Sequence, residues 1–213
     1  APAEGTPAQR TIWETVKHHF AVSACILQKD ARIGKIIGFY SVVFAAHTLL
    51  FFYSQQYFAD FGYNKVQISV IMLLVGGASC FGALASEKMY RRFGKRCLIP
   101  ETVIIAAAIL CYGSGKAGVA AAALMCAGFA NAALYPIQSD SLNALIPSEQ
   151  RATLISVDSM CFSIAMIVLF PLAGAFADRW GLKTVLLLLG AILLLFLLAA
   201  FCIEKESFSS DHS

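Results

Sequence analysis

The sequence predicts an all-α, polytopic membrane protein, with six transmembrane helices arranged as a 3+3 inverted repeat. Three observations carry this. Apolar residues make up 59% of the chain and charged residues only 14%, against about 25% charged in soluble domains. Mean hydropathy is +0.72. A soluble fold of 213 residues has too much surface for its volume to hide that apolar content. The apolar residues also fall into six runs separated by short polar connections, and the second and fifth connections resemble one another. A soluble enzyme, a nucleic-acid-binding module and a disordered linker are therefore excluded. The formal charge of +3 is too balanced for a nucleic-acid partner.

Ala1–Arg10, with two prolines and one glycine, reads as a flexible linker. Residues 11–32 read as an amphipathic linker segment on the cytoplasmic face. In its helix, Thr11–Gln28, Ile12, Val16, Phe20, Ala24 and Leu27 form one stripe, and Thr11 and Glu14 have capping-box spacing. Such a helix lies in the membrane interface. His18 and His19 on it have no metal-ligand partners nearby and read as solvated.

Residues 33–205 hold the bundle, and 206–213 read as a cytoplasmic tail. The apolar runs are Gly34–Tyr57, Val66–Ser86, Leu98–Tyr112, Ala117–Ile137 (helical on to Leu145), Ala152–Ala177 and Leu182–Ile203. A crossing takes about 20 residues. Five runs suffice, while the third must draw on Cys97–Gly115. Backbone groups in lipid need partners within their own segment, so the spans are helices. Short connections make successive spans antiparallel neighbours.

Lysine and arginine set the orientation. Twelve of the sixteen fall on the side of the termini and of the Glu87–Arg96 and Ile146–Arg151 connections, and four fall on the other. The positive-inside rule then puts both termini in the cytoplasm, and the plasma membrane is the expected location. The seven cysteines include no C-x-x-C pair and read as small packing hydrophobes. Neither a metal site nor a cofactor is implied.

The two similar connections are Gly82-Ala-Leu-Ala with Arg92-Phe-Gly94-Lys95, and Gly174-Ala-Phe-Ala-Asp-Arg179-Trp-Gly181-Leu-Lys183. Their leading glycines are 92 residues apart. One joins spans two and three, the other spans five and six. Since three is odd, the second unit is inverted, as in secondary-transporter folds.

These residues carry a family resemblance. Gly174–Gly181 resembles the G-x-L-A-D-R-x-G hairpin motif of the major facilitator superfamily. Ile146-Pro-Ser-Glu-Gln-Arg151-Ala-Thr is similar to the P-x-x-x-R-[AG] loop in the second half of such transporters, and Phe51–Gly62 to the outer end of their seventh helix. The resemblance covers about residues 11–205 and is to the C-terminal six-helix half. It implies a secondary transporter whose first and fourth helices here face a central cavity. Its implied partners are a small-molecule substrate, protons or another coupling ion, the lipid bilayer, and either a missing N-terminal half or a second copy. The loop Glu87–Arg96 departs from the motif, because Arg91 replaces the acid beside Arg92.

Polar residues inside spans cost enough to be informative. Tyr40, His47 and Ser54 recur every seven residues on the first span. Asn131, Tyr135 and Gln138 form a stripe on the fourth. With Gln55 these are the candidate substrate contacts, Gln55 and Gln56 reading equally as interfacial caps. Asp158, about 10 Å into the fifth span, reads either as a proton-coupling carboxylate or as a structural partner of Arg151. Asp140 reads as a gate carboxylate meeting Arg91 or Arg92, or as a solvated helix end, and Pro136 as a kink between the two halves of its helix. Gly128 and Ala132 offer a small-xxx-small contact. Glu101, after Pro100, reads as a structural complement to a helix dipole. The sixth span, nearly all Leu, Ala and Phe, reads as lipid-facing. A membrane-embedded enzyme would need clustered histidines and acids or a Ser/His pair at one depth, and neither is readable. A non-transporting six-helix scaffold or sensor remains the alternative to a proton-coupled, alternating-access transporter.

Overall fold

The computed structural model describes residues 31–145 and 151–210. The linker of residues 1–10, the amphipathic segment and the loop 146–150 lie outside them. The described residues form helices and turns without a strand. The helices are α1 (Ala31–Asp60), α2 (Lys65–Phe93), α3 (Leu98–Cys111), α4 (Ala117–Asn143), α5 (Arg151–Trp180) and α6 (Leu182–Ser210).

Five of the six are long and apolar enough to cross a membrane, and α3 is shorter. Short 3-10 turns, Gly94–Cys97 and Tyr112–Ser114, flank α3. With the second turn its rise is about 27 Å, just under the roughly 30 Å of hydrocarbon. The other helices outrun their apolar stretches. Helix α2 continues through Glu87, Lys88, Arg91 and Arg92 to Phe93, since these straight-chain residues keep good helix propensity at the interface. Helix α6 continues to Ser210, into what reads from sequence as a tail.

The turns explain where the helices stop. Asn64 caps α2 reciprocally with Gln67, each side chain accepting from the other's backbone N–H at 2.9 Å. Gly94 and Gly181 directly follow α2 and α5 with φ of 59° and 82°, a region that penalises any Cβ. These closing glycines are the structural match between the two hairpins. The leading pair is not: Gly82 stands eleven residues before Phe93, whereas Gly174 stands six before Trp180. Five extra residues in the first hairpin shift its glycine up the helix.

Helix α4 is the spine of the bundle. Four of its alanines, Ala120, Ala127, Ala130 and Ala133, are fully buried and let α1, α2 and α3 approach closely. The tightest contact is α2 on α4. There a Cβ on Gly82 would overlap the Phe129 carbonyl, and one on Gly128 would lie 2.8 Å from Ser79 Oγ. Ser86 Oγ donates to the Ala133 carbonyl at 3.0 Å. Helix α6 buries Val185, Leu186 and Leu193 against the bundle and leaves Leu188, Ile192, Leu195 and Leu198 outside. Helix α5 is held at its two ends. Leu154 and Val157 pack with Ile33, Ile37 and Leu142, and Ala173 packs with Leu49 and Val185. Only 6% of the most apolar window of α5, and 11% of that of α2, is buried.

Candidate functional site

A cavity of ≈ 350 Å³ opens between the middles of α1, α2 and α4. From α1 it is lined by His47, Thr48 and Phe51. Helix α2 contributes Met72, Val75, Gly76 and Ser79, and α4 contributes Asn131. Gly76 and the neighbouring small positions of α2 leave room where side chains would otherwise fill it. No charged residue lines it. His47 Nε2 and Asn131 Oδ1 are shielded from solvent yet have no hydrogen-bond partner among the described residues. The two hydroxyls are committed. Thr48 donates to the Phe44 carbonyl at 2.7 Å, and Ser79 to the Val75 carbonyl at 2.9 Å. Each therefore offers the cavity only lone pairs.

Of the residues singled out from the sequence, His47 and Asn131 come together here. The others do not. Ser54 is fully buried, with its hydroxyl between the Leu50 carbonyl and Tyr112 Oη, the latter at 2.6 Å. Tyr57 reinforces that joint by donating to the Tyr112 carbonyl at 2.8 Å. Tyr40 is buried beside Phe39 and Phe44, and Tyr135 is exposed with its ring 5.6 Å from that of Phe44. Gln138 is fully buried, with neither amide atom hydrogen-bonded among the described residues. Gln55 is exposed at the other end of α1, where Gln56 donates to Asp60 at 2.7 Å.

The charged candidates stay apart. Arg91 pairs with Glu87 at 2.5 Å, one turn away on the same exposed face. Arg92 lies 5.6 Å from the centre of the Phe93 ring. Asp140 is exposed and forms no ion pair among the described residues. Asp158 is partly buried and likewise unpaired with Arg151. Their seven-residue spacing puts them on one face but about 10 Å apart along the axis.

Sequence reading missed Thr48, Phe51, Met72 and Ser79. The available signal was Ser79 itself, a hydroxyl in an apolar run close to Gly76 and Gly77. It also missed a second cavity of ≈ 330 Å³ at the far end of α1. Tyr53, Gln56 and Asp60 face Gly174, Ala177 and Asp178 across it. Tyr53 Oη donates to the Phe170 carbonyl at 3.1 Å. A Cβ on Gly174 would lie 3.0 Å from that hydroxyl, so the glycine admits the tyrosine.

A cavity with polar side chains at mid-depth in an apolar helical bundle is what a solute carrier needs. The comparison with known families agrees: the model for the Major Facilitator Superfamily matches residues 2–157 and 102–212. The chain belongs to the major facilitator superfamily. No curated protein and no solved structure matches it. Members of the superfamily are transporters, so the family indicates a transporter-type function. It also implies an integral membrane protein with a lipid bilayer around it and a small-molecule substrate.

Proposed function

We propose that this chain is the C-terminal half of a secondary active transporter, moving a small molecule across the plasma membrane by alternating access coupled to protons. One observation carries the reading. His47 and Asn131 line one cavity at mid-depth of three apolar helices. Polar side chains held within spans are costly, and a hydrogen-bonding solute would offset that cost. His47 and Asn131 are the proposed substrate contacts. Tyr40, Tyr135 and Gln138 follow on the same two helices toward the cytoplasmic end, on the path out. Ser54 and Gln55 bound the site on the outer side.

The packing supports the 3+3 inverted arrangement. A two-fold exchanging α1–α3 with α4–α6 would exchange the α2–α4 contact with the α5–α1 contact, and both occur. It would map the α3–α6 contact onto itself, and that contact is present too. Positive-φ glycines close both equivalent hairpins. The charge asymmetry favours cytoplasmic termini. The little-buried faces of α2 and α5 suit contact with an N-terminal six-helix half or a second copy. Asp140 and the exposed Arg91, Arg92 and Arg151, which lie toward one end of the bundle, are the proposed charges of a cytoplasmic gate.

Asp158 is the proposed coupling group, because it is a partly buried carboxylate within a span and without an ion-pair partner among the described residues. Reconstituted transporter should show solute flux driven by an imposed pH gradient. Asp158→Asn should abolish that coupled flux while leaving the protein in the membrane. Unchanged flux in the variant would show that Asp158 is idle, and absence of pH-driven flux for any solute would overturn the coupling.

A further inference from the structure

Helix α5 meets the bundle at two joints, and the stretch between them is weakly held. Leu154 and Val157 are buried at one joint and Ala173 at the other, and no residue between Val157 and Ala173 is buried. The backbone of that stretch is weakened twice. Pro171 has no N–H, so the Ile167 carbonyl loses its helical donor. Ser163 donates to the Ser159 carbonyl at 2.8 Å, a local bond that loosens and bends helices. Sharp bends in helices gather at proline, which makes Pro171 the natural point of flexure.

Helix α1 grips the residue just before that proline. The Phe170 ring stacks on Tyr53, with centroids 5.3 Å apart and planes at 24°, and meets Phe52 edge-on at 5.9 Å. Tyr53 Oη donates to the Phe170 carbonyl at 3.1 Å. Gly174, one turn on, carries no side chain to displace that hydroxyl, since a Cβ there would lie 3.0 Å from it. We propose that α5 pivots at Pro171 and that Tyr53 is the latch holding its Trp180 end against α1. Past the pivot, the buried contact is a single alanine, Ala173 against Leu49 and Val185. The hydroxyl bond is therefore a large share of what resists a swing. The second cavity, ≈ 330 Å³, lies beside the latch, with Tyr53, Gln56 and Asp60 of α1 and Gly174, Ala177 and Asp178 of α5 in its lining. Release of Tyr53 lets residues 171–180 move away from α1 and widens that cavity.

Hydrogen–deuterium exchange of the full chain in lipid nanodiscs reads the pivot segment by segment. Tyr53→Phe keeps the ring stack and removes only the hydroxyl. It should speed amide exchange at residues 171–180 about three- to tenfold, the factor one hydrogen bond contributes, and leave exchange in α3 unchanged. Pro171→Ala returns a donor to the Ile167 carbonyl, and should slow exchange in the same segment at least about tenfold. Unchanged exchange at residues 171–180 in Tyr53→Phe would overturn the latch. So would an equal acceleration in α3, which marks a general loss of stability rather than a local release. Exchange in Pro171→Ala no slower than in the unsubstituted chain would overturn the pivot. No solute enters these measurements, so their outcome is separate from that of the pH-driven flux.

Discussion

At the residue scale, the first span shows what periodicity can and cannot tell. Tyr40, His47 and Ser54 share a heptad spacing, and that much is legible. Which neighbour each meets is not, because α1 touches different helices at different heights. His47 meets the cavity, while Ser54 meets Tyr112 of the turn after α3, with their oxygens 2.6 Å apart. Losing one partner of a buried hydrogen bond costs about 1–3 kcal/mol. Ser54→Ala and Tyr112→Phe should therefore each lower the thermal midpoint in detergent and leave the solute KM unchanged. Their combination should cost less than the sum of the two, and strict additivity would refute the pairing. Glu101 is a second case. Its position in the first turn of α3 fits a dipole complement, worth up to ~2 kcal/mol when partly buried. Yet it is 1% exposed, and neither oxygen is hydrogen-bonded among the described residues. Leaving a buried carboxylate uncompensated costs several kcal/mol, which outweighs the dipole. Glu101→Gln, of the same shape, should hold or raise the unfolding midpoint, and a clear fall would show that the dipole wins.

At the element scale, the helices were legible and their partners were not. Six apolar runs became six helices, and the run that needed extra residues became the short α3 with its 3-10 turn. Length and hydropathy decide crossing, and both are local properties. Pairing depends on close approach, which a few small residues control from a distance in sequence. Gly128 was recognisable as part of a small-xxx-small contact, but its partners, Ser79 and Val75 of α2, follow only from the fold. Gly82 was visible as a motif residue, and its work is to let α2 lie on the Phe129 carbonyl. A methyl there meets backbone, which cannot rotate away, so the helices must separate. Gly82→Ala should destabilise by about 1–3 kcal/mol, the usual range for overpacking, read as a lower unfolding midpoint. Gly77→Ala, with nothing within 4 Å of the added carbon, should be neutral or stabilising by about 0.4–1 kcal/mol. Equal effects at the two glycines would show that backbone propensity, not packing, sets their cost.

At the scale of the whole molecule, charge does what packing does not. The bundle alone carries no mark of inside or outside, since α2 and α5 leave most of their apolar surface uncovered and lipid accepts such faces as readily as protein does. The basic residues supply direction. Arg91 and Arg92 close α2, and Arg151 opens α5, at the same end of the bundle. Ser114 and Lys116 lie at the opposite end, between α3 and α4. Moving many positive charges across a bilayer during insertion is unfavourable, so the richer end is the one proposed to stay in the cytoplasm. A cysteine placed at the exposed Ser114 or the exposed Glu87 reads the outcome directly. In sealed right-side-out vesicles, Ser114→Cys should react with a membrane-impermeant maleimide, and Glu87→Cys should react only after permeabilisation. The unsubstituted chain is the control for its own cysteines, of which Cys97 is buried and Cys80 and Cys126 lie within spans. The reverse pattern would invert the molecule. It would put the cavity residues nearest the Arg91 end on the outer side, and make Asp158 a carboxylate reached from outside rather than from the cytoplasm.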